Sequence, residues 1–216
     1  MLLRVPHLRT VFRPAVIRIT HWINAFAMLC MVSSGMGIYN AHPIFDFSFP
    51  PAVTLGGWLG GSTIWHFAVM WLLVGNGLLY LLFGVASGYL GRQMFPVRLG
   101  ELLRDVRLAL AFRLRHESGS YNTIQKALYI AVLLLGVLMV TSGLAIWKPV
   151  QFSPLTALFG GFDFARVVHF LGMAAILCFT ALHLVMVILV PQTLLSMVTG
   201  TSSSNHKRRA DRDEKA

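Results

Sequence analysis

The sequence contains few charged residues and few cysteines. Only 12% of its 216 residues are charged, about half of the roughly 25% found in soluble globular domains. The two cysteines, Cys30 and Cys178, lie inside apolar segments, and no Cys-x-x-Cys-His motif occurs. The chain therefore lacks the signature of covalent c-type haem attachment. Alternating segments of the kind found in membrane β-barrels are also missing.

What the chain does contain is four long apolar segments. They span approximately residues 15–38, 64–87, 127–147 and 165–190. About 20 helical residues are needed to cross a hydrocarbon core of about 30 Å, and each segment is long enough. Lipid cannot satisfy the backbone of an open strand, so each segment is predicted to be a helix. We expect an all-α integral membrane protein with a four-transmembrane-helix bundle.

The positive charges are unevenly distributed. Sixteen of the eighteen Lys and Arg residues lie before the first segment or at its start, between the second and third segments, or in the C-terminal tail. This positive-inside bias predicts that both termini are cytoplasmic. It also explains the net charge of +10 without nucleic-acid binding, so we expect a multi-pass protein whose surroundings are the lipid bilayer.

The segments outside the membrane differ in character. Residues 1–14 are predicted to be a basic cytoplasmic N-terminus, about 98–115 an amphipathic surface helix, and 201–216 a disordered basic tail. The helical domain covers 15–190. The outer loop at 39–63 is rich in Phe, Pro and Gly, which indicates a segment in the membrane interface, a docking surface for a partner, or both.

Four of the eight histidines lie within the apolar segments: His21, His66, His169 and His183. An ionisable residue inside a membrane helix is costly and is by default a functional hypothesis. A single such histidine is as often hydrogen-bonded to a neighbouring helix, so the interpretation depends on how the four are arranged.

Helix direction places the four histidines at two depths. His169 and His183 lie on nearly the same face of the fourth helix, separated by about 21 Å along its axis. Depth pairs His183 with His21 on the inner side, whereas His66, at the outer boundary of its segment, pairs with His169. Zinc would require three or four clustered ligands, and a proton relay would require closer partners. Two bis-histidine haems fit this arrangement best.

Several motifs resemble those of bacterial di-haem membrane cytochromes b. They are Arg18-Ile-Thr-His-Trp-Ile-Asn-Ala25, Trp65-His66, the His169…His183 spacing, and Tyr121-Asn122-x-x-Gln125-Lys126. The family includes the cytochrome b561 type, the b-type cytochrome subunits of nickel–iron hydrogenases, and the gamma subunits of formate dehydrogenases. The resemblance covers residues 15–190 and implies a location in a bacterial inner (cytoplasmic) membrane.

This resemblance implies two haems b and an exchangeable quinone. Electrons would pass between the quinone pool, near the inner haem, and a periplasmic redox enzyme subunit such as a molybdopterin oxidoreductase or hydrogenase-like subunit. The chain would then be an electron-transfer subunit rather than a stand-alone enzyme. Asn122 and Gln125 become candidate quinone contacts, although Asn122 is equally suited to capping a helix.

Two further arginines are candidate partners of the haem propionates. Arg18 precedes the inner pair and Arg166 the outer pair, and Arg suits bidentate carboxylate pairing. Each is also placed to anchor its helix at the membrane interface. The competing function is a self-contained, quinone-linked superoxide oxidase, which would require a basic outer face. Only Lys148 and Arg166 supply positive charge there, which favours the partner-dependent subunit.

Overall fold

The structure, a computed structural model, describes residues 14–94, 99–110, 123–189 and 191–200. Four long helices dominate it, together with four shorter ones. In chain order the helices are α1 (Ala15–Ala41), α2 (Leu59–Ala86), α3 (Tyr89–Met94), α4 (Leu99–Leu110), α5 (Thr123–Trp147), α6 (Ser153–Leu158), α7 (Phe162–Leu189) and α8 (Pro191–Thr199), with one 3-10 turn at Pro51–Val53. The described residues contain no strand.

Four of these helices are long and apolar enough to cross a membrane. They are α1, α2, α7 and the Lys126–Trp147 part of α5, with mean hydropathies from 1.5 to 2.4. Because lipid offers no hydrogen bonds, each helix satisfies its backbone internally. The prediction of an all-α, four-transmembrane-helix protein is confirmed.

The second membrane helix begins earlier than the sequence predicts. It starts at Leu59 rather than near residue 64, because Gly60 and Gly61 continue the helix. A side chain at Gly60 would collide with the indole ring of Trp58, so glycine lets the preceding loop fold against the first turn. As a result His66 lies about two turns inside α2 and not in the first turn of a helix that begins near residue 64.

The membrane helices are arranged as two pairs. Helix α1 packs along α2, and α5 packs along α7. The most deeply buried side chains are small ones, including Ala27, Ser34, Ser142, Ala145 and Ala165. Small residues let membrane helices approach closely, where van der Waals contact replaces the missing hydrophobic driving force. Ring contacts between histidines join one pair to the other.

The predicted surface helix is present in part. Helix α4 covers Leu99–Leu110, and its glutamate Glu101 lies in the first turn and its arginine Arg107 in the last, as the helix dipole favours. Residues 111–115 of the predicted range lie outside the described residues. So do the predicted N-terminus up to residue 13 and the tail at 201–216.

The segment between α1 and α2 is ordered by aromatic contacts. Tyr39, Phe47 and Phe49 all contact the ring of Phe170 on α7, with ring centroids 5.0–6.5 Å apart. The side chain of Asn40 both donates to the carbonyl of Phe49 and accepts from its N–H, at 2.8 Å each. The apolar loop therefore folds back onto the bundle beside His169.

Candidate cofactor sites

The structure brings the four membrane histidines together as two pairs. The ring centroids of His66 and His169 lie 6.5 Å apart, and those of His21 and His183 lie 6.0 Å apart. This is the pairing that helix direction predicts. The two pairs occupy different depths, because His169 and His183 are 14 residues apart on α7, about 21 Å along the axis.

Both separations match two imidazoles on opposite sides of one metal ion. A metal–imidazole bond of about 2 Å, plus about 1.2 Å from the bonded nitrogen to its ring centre, gives about 6.4 Å between the two centroids. The observed 6.5 and 6.0 Å lie on either side of that value. The ring planes are inclined by 67° and 64°. Among the described residues, no three His, Cys, Asp or Glu side chains cluster as a metal site.

Each ring of the His66–His169 pair is hydrogen-bonded to a serine on the neighbouring helix. Ser34 Oγ of α1 lies 3.0 Å from Nδ1 of His66, and Ser142 Oγ of α5 lies 2.9 Å from Nδ1 of His169. The bond occupies the ring nitrogen on one side. The other nitrogen, Nε2, is then the one available to a metal.

A glycine follows each of these serines and makes room for the same ring. A Cβ atom at Gly35 would lie 3.5 Å from Cε1 of His66, and one at Gly143 would lie 3.3 Å from Cε1 of His169. The two Ser-Gly pairs sit in similar stretches, MVSSGMGIY at 31–39 and MVTSGLAIW at 139–147. This repeat was present in the sequence, and comparing the first and third apolar segments would have found both serines.

The second helices of the two pairs correspond as well. Helices α2 and α7 each have 28 residues, and His66 and His169 are each the eighth residue of their helix. Gly57 and Gly160, each nine residues before its histidine, both adopt a positive φ, 74° and 79°, which glycine accepts without strain. The α1–α2 and α5–α7 pairs are therefore two versions of one structural unit.

The His21–His183 pair has different surroundings. The ring of His183 stacks on Phe179, with centroids 6.1 Å apart and planes 11° apart. His21 contacts the edge of Trp22 at 5.5 Å. The ring contacts of His183 in the described part of the chain are thus aromatic, whereas His66 and His169 each contact a serine hydroxyl.

An amide cluster beside His21 joins α1 to α2. Asn76 is 7% exposed, and its amide donates to the carbonyl of Thr20 at 2.8 Å and to the side-chain oxygen of Asn24 at 2.7 Å. Asn24 belongs to the motif at residues 18–25. Asn76 is not among the predicted residues, although a polar residue within an apolar run is a usable signal.

Arg18 lies one turn before His21 and approaches the last turn of α8. Its Nη1 donates to the carbonyl of Val198 at 3.4 Å. Its Nε is buried and has no hydrogen-bond partner among the described residues. A buried guanidinium N–H without a partner is costly, and a carboxylate such as a haem propionate would satisfy it. The prediction for Arg18 therefore rests on a specific unpaired atom.

The structure does not test the predicted cofactor contacts of Arg166, Asn122 and Gln125. Arg166 donates to the backbone carbonyl of His42 and lies 3.9 Å from the exposed carboxylate of Asp163, so it ties the start of α7 to the end of α1. Its role toward a propionate stays a prediction. Asn122 lies outside the described residues, and the side chain of Gln125, in the first turn of α5, is also outside them.

Comparison with known proteins identifies the family of the chain. The profile of the prokaryotic cytochrome b561 family matches residues 13–200. The chain belongs to this family. Its members' name implies haem b, and the histidine pairs, their spacing and the unpaired atom of Arg18 fit that cofactor. No solved structure matches the chain at a significant level.

A curated relative covers almost the same length. The putative protein-methionine-sulfoxide reductase subunit YedZ1 of Azospira oryzae is 46% identical over 188 residues, which are 87% of this chain and 95% of the relative. The resemblance predicted from the sequence motifs is confirmed, and so is a membrane-bound electron-transfer cytochrome as the general class.

Proposed function

We propose that the chain binds two haems b, one between His21 and His183 and one between His66 and His169, and conducts electrons across the membrane between them. The observation that carries this proposal is the pair of ring separations, 6.0 and 6.5 Å. Both would suit two histidines that hold one iron, and helix α7 would supply one histidine to each site.

A bound haem would act as a one-electron carrier, because its iron alternates between the ferric and ferrous states. Two histidines would hold each haem, so the protein would leave no coordination position open for a substrate. Each site is therefore suited to electron transfer rather than to chemistry on a bound molecule. The helices that carry the four histidines are apolar and would hold the ligands in place during oxidation and reduction.

The His21–His183 site is assigned to the cytoplasmic side. In the described residues, Arg18, Arg104 and Arg107 belong to the elements at this end, as the positive-inside bias requires. Quinone exchange is proposed here, with Asn122 and Gln125 as contacts carried over from the family resemblance. The same Asn122 could instead cap α5, so these two contacts depend on the resemblance alone.

The His66–His169 site then faces the opposite side of the membrane and a partner protein. The relative's name supports the catalytic subunit of a protein-methionine-sulfoxide reductase as that partner. Reducing one methionine sulfoxide takes two electrons and two protons, and the sulfoxide oxygen leaves as water. Two electrons delivered one at a time through this chain would complete one turnover, with the chemistry performed by the partner.

The self-contained superoxide oxidase stays the alternative. It would need a basic, open surface at the His66–His169 end to attract an anion. Of the two basic side chains there, Lys148 lies over the ring of Trp147 at 5.4 Å, and Arg166 donates to the carbonyl of His42. Both observations favour the partner-dependent function.

Haem content and electron transfer test the proposal together. We expect the purified chain to carry two haems b by pyridine haemochrome and to be reduced by a soluble quinol. Methionine sulfoxide should reoxidise it only when the co-expressed catalytic subunit is present. Fast reduction by superoxide, without any partner, would establish the alternative, and a chain purified without haem would overturn both.

A further inference from the structure

The two serines beside the His66–His169 pair are the most completely buried polar groups near either site. Ser34 and Ser142 are each 0% exposed. Their hydroxyls lie within hydrogen-bond distance of the Nδ1 atoms of His66 and His169. Burying a hydroxyl costs free energy unless it makes hydrogen bonds. The direction of each bond therefore indicates which ring nitrogen carries the proton.

The helix backbone decides where the hydroxyl protons point. Ser34 Oγ lies 2.6 Å from the carbonyl oxygen of Cys30, and Ser142 Oγ lies 2.7 Å from the carbonyl oxygen of Leu138. A carbonyl oxygen can only accept, so each serine donates its proton along its own helix. The serine oxygen is then left to accept from the histidine.

It follows that both rings carry their proton on Nδ1. The Nδ1–H of His66 donates to Ser34 and that of His169 to Ser142. The backbone carbonyls of Met31 and Met139 also accept hydrogen bonds from these two rings. This tautomer leaves the lone pair on Nε2, which is the form that binds a metal. The same partners fix the orientation of each ring, because rotating the imidazole would break its bond to serine.

We propose that Ser34 and Ser142 are positioning residues for one iron, the one held by His66 and His169. The inference rests on the proposed function, since it assigns a role toward haem. Each serine holds a ligand ring in the metal-binding tautomer and orientation. By accepting from Nδ1–H, each also makes its imidazole a stronger electron donor to the iron, which stabilises the ferric state and lowers the midpoint potential of this haem.

The chain offers a matched control beside each serine. Ser33 donates to the carbonyl of Leu29, and Thr141 donates to the carbonyl of Val137. Both hydroxyls make the same bond to their own helix, and among the described residues neither is bonded to a histidine. In the other site, the described contacts of the His183 ring are aromatic. The effect should thus be confined to one haem.

The test uses the full-length holoprotein in detergent with Ser34→Ala, Ser142→Ala, Ser33→Ala and Thr141→Ala. Potentiometric titration and low-temperature EPR are recorded for each. The largest g value of a low-spin ferric haem depends on the angle between its two imidazole planes. We expect each serine variant to raise the midpoint potential of the same haem and to change its g value, with the second haem unchanged and both controls like the wild type.

Ser34→Cys and Ser142→Cys provide a graded series, because a thiol is a weaker acceptor of similar shape. If an alanine variant does not assemble, the cysteine variant replaces it in the test. A rise in midpoint potential that is smaller than the one expected for alanine supports the proposal. Unchanged potentials and g values in all serine variants would overturn it, as would Ser34 and Ser142 acting on different haems. A wild-type chain lacking two haems would instead contradict the proposed function.

Discussion

The amide of Asn76 on α2 donates a hydrogen bond to the side-chain oxygen of Asn24 on α1, at 2.7 Å. Asn24 lies three residues beyond His21, so this bond fixes the two helices at the depth of the His21–His183 pair. Asn76 also donates to the carbonyl of Thr20. One buried amide therefore bonds to both sides of a ligand position.

Replacing this amide should destabilise the bundle. We expect Asn76→Ala to lower the free energy of unfolding by about 1 kcal/mol, since hydrogen bonds between membrane helices each contribute about 0.6 kcal/mol on average. Reversible unfolding in mixed detergent measures the loss. Asn24→Ala removes only one of the two bonds and should cost less. An equal cost for both variants would show that the bond to Thr20 contributes nothing.

Each histidine pair should account for one haem. His66→Ala and His183→Ala are expected to leave one haem per chain, because each removes one of two axial ligands. Pyridine haemochrome normalised to protein measures this ratio. His42→Ala, in the exposed loop after α1, serves as the control and should keep both haems. Retention of two haems by either ligand variant would contradict the pairing.

Alanine substitution should affect haem content differently at Gly35 and at Gly143, the two glycines beside the ligand rings. Alanine at position 143 would place its Cβ 3.3 Å from Cε1 of His169, tighter than at position 35, where the distance to His66 is 3.5 Å. We expect Gly143→Ala to lower haem occupancy of that site and Gly35→Ala to stay close to wild type. Haem content and the α-band spectrum report the difference.

Gly75→Ala is the control for these glycine substitutions, because an added Cβ there meets no atom within 4 Å. It tests whether any alanine in a membrane helix of this chain alters haem content. If Gly75→Ala loses as much haem as Gly143→Ala, the effect does not come from contact with the ligand ring.

Arg18 should influence only one haem. Removing its positive charge next to the His21–His183 site favours the ferric state, so Arg18→Gln should lower the midpoint potential of that haem. Arg18→Lys keeps the charge, so its midpoint potential should stay close to that of the wild type. Arg107→Gln on α4 is the matched loss of charge at the same end. A shift in the other haem, or an equal shift from Arg107→Gln, would argue against a propionate contact.

The bundle and the ligand pairs could be predicted because they follow from periodicity and helix direction. An apolar run of about 20 residues has few alternatives in a membrane, and antiparallel neighbours place residues at calculable depths. His21 with His183 and His66 with His169 follow from that alone. The start of α2 could not be predicted, since two consecutive glycines disfavour a helix by propensity and the indole of Trp58 beside Gly60 is a tertiary contact.

The hydrogen-bond partners of the ligands were harder to foresee. Ser34 and Ser142 look like ordinary small residues of packed membrane helices, and their role depends on which helix face meets the histidine ring. Asn76 was identifiable as polar, but its partners Thr20 and Asn24 depend on the rotation of α1 against α2. Such contacts are tertiary and leave no periodic signal.

The correspondence of the two helix pairs makes the two sites unequal in a further respect. His66 and His169 occupy equivalent positions, whereas the positions equivalent to His183 and His21 in the opposite pair hold Tyr80 and Tyr129. One iron would thus be held through equivalent positions of the two units, so equivalent substitutions in the two halves would act on it together. The other would be held through non-equivalent positions of the same two units, so each of its sides is free to diverge on its own.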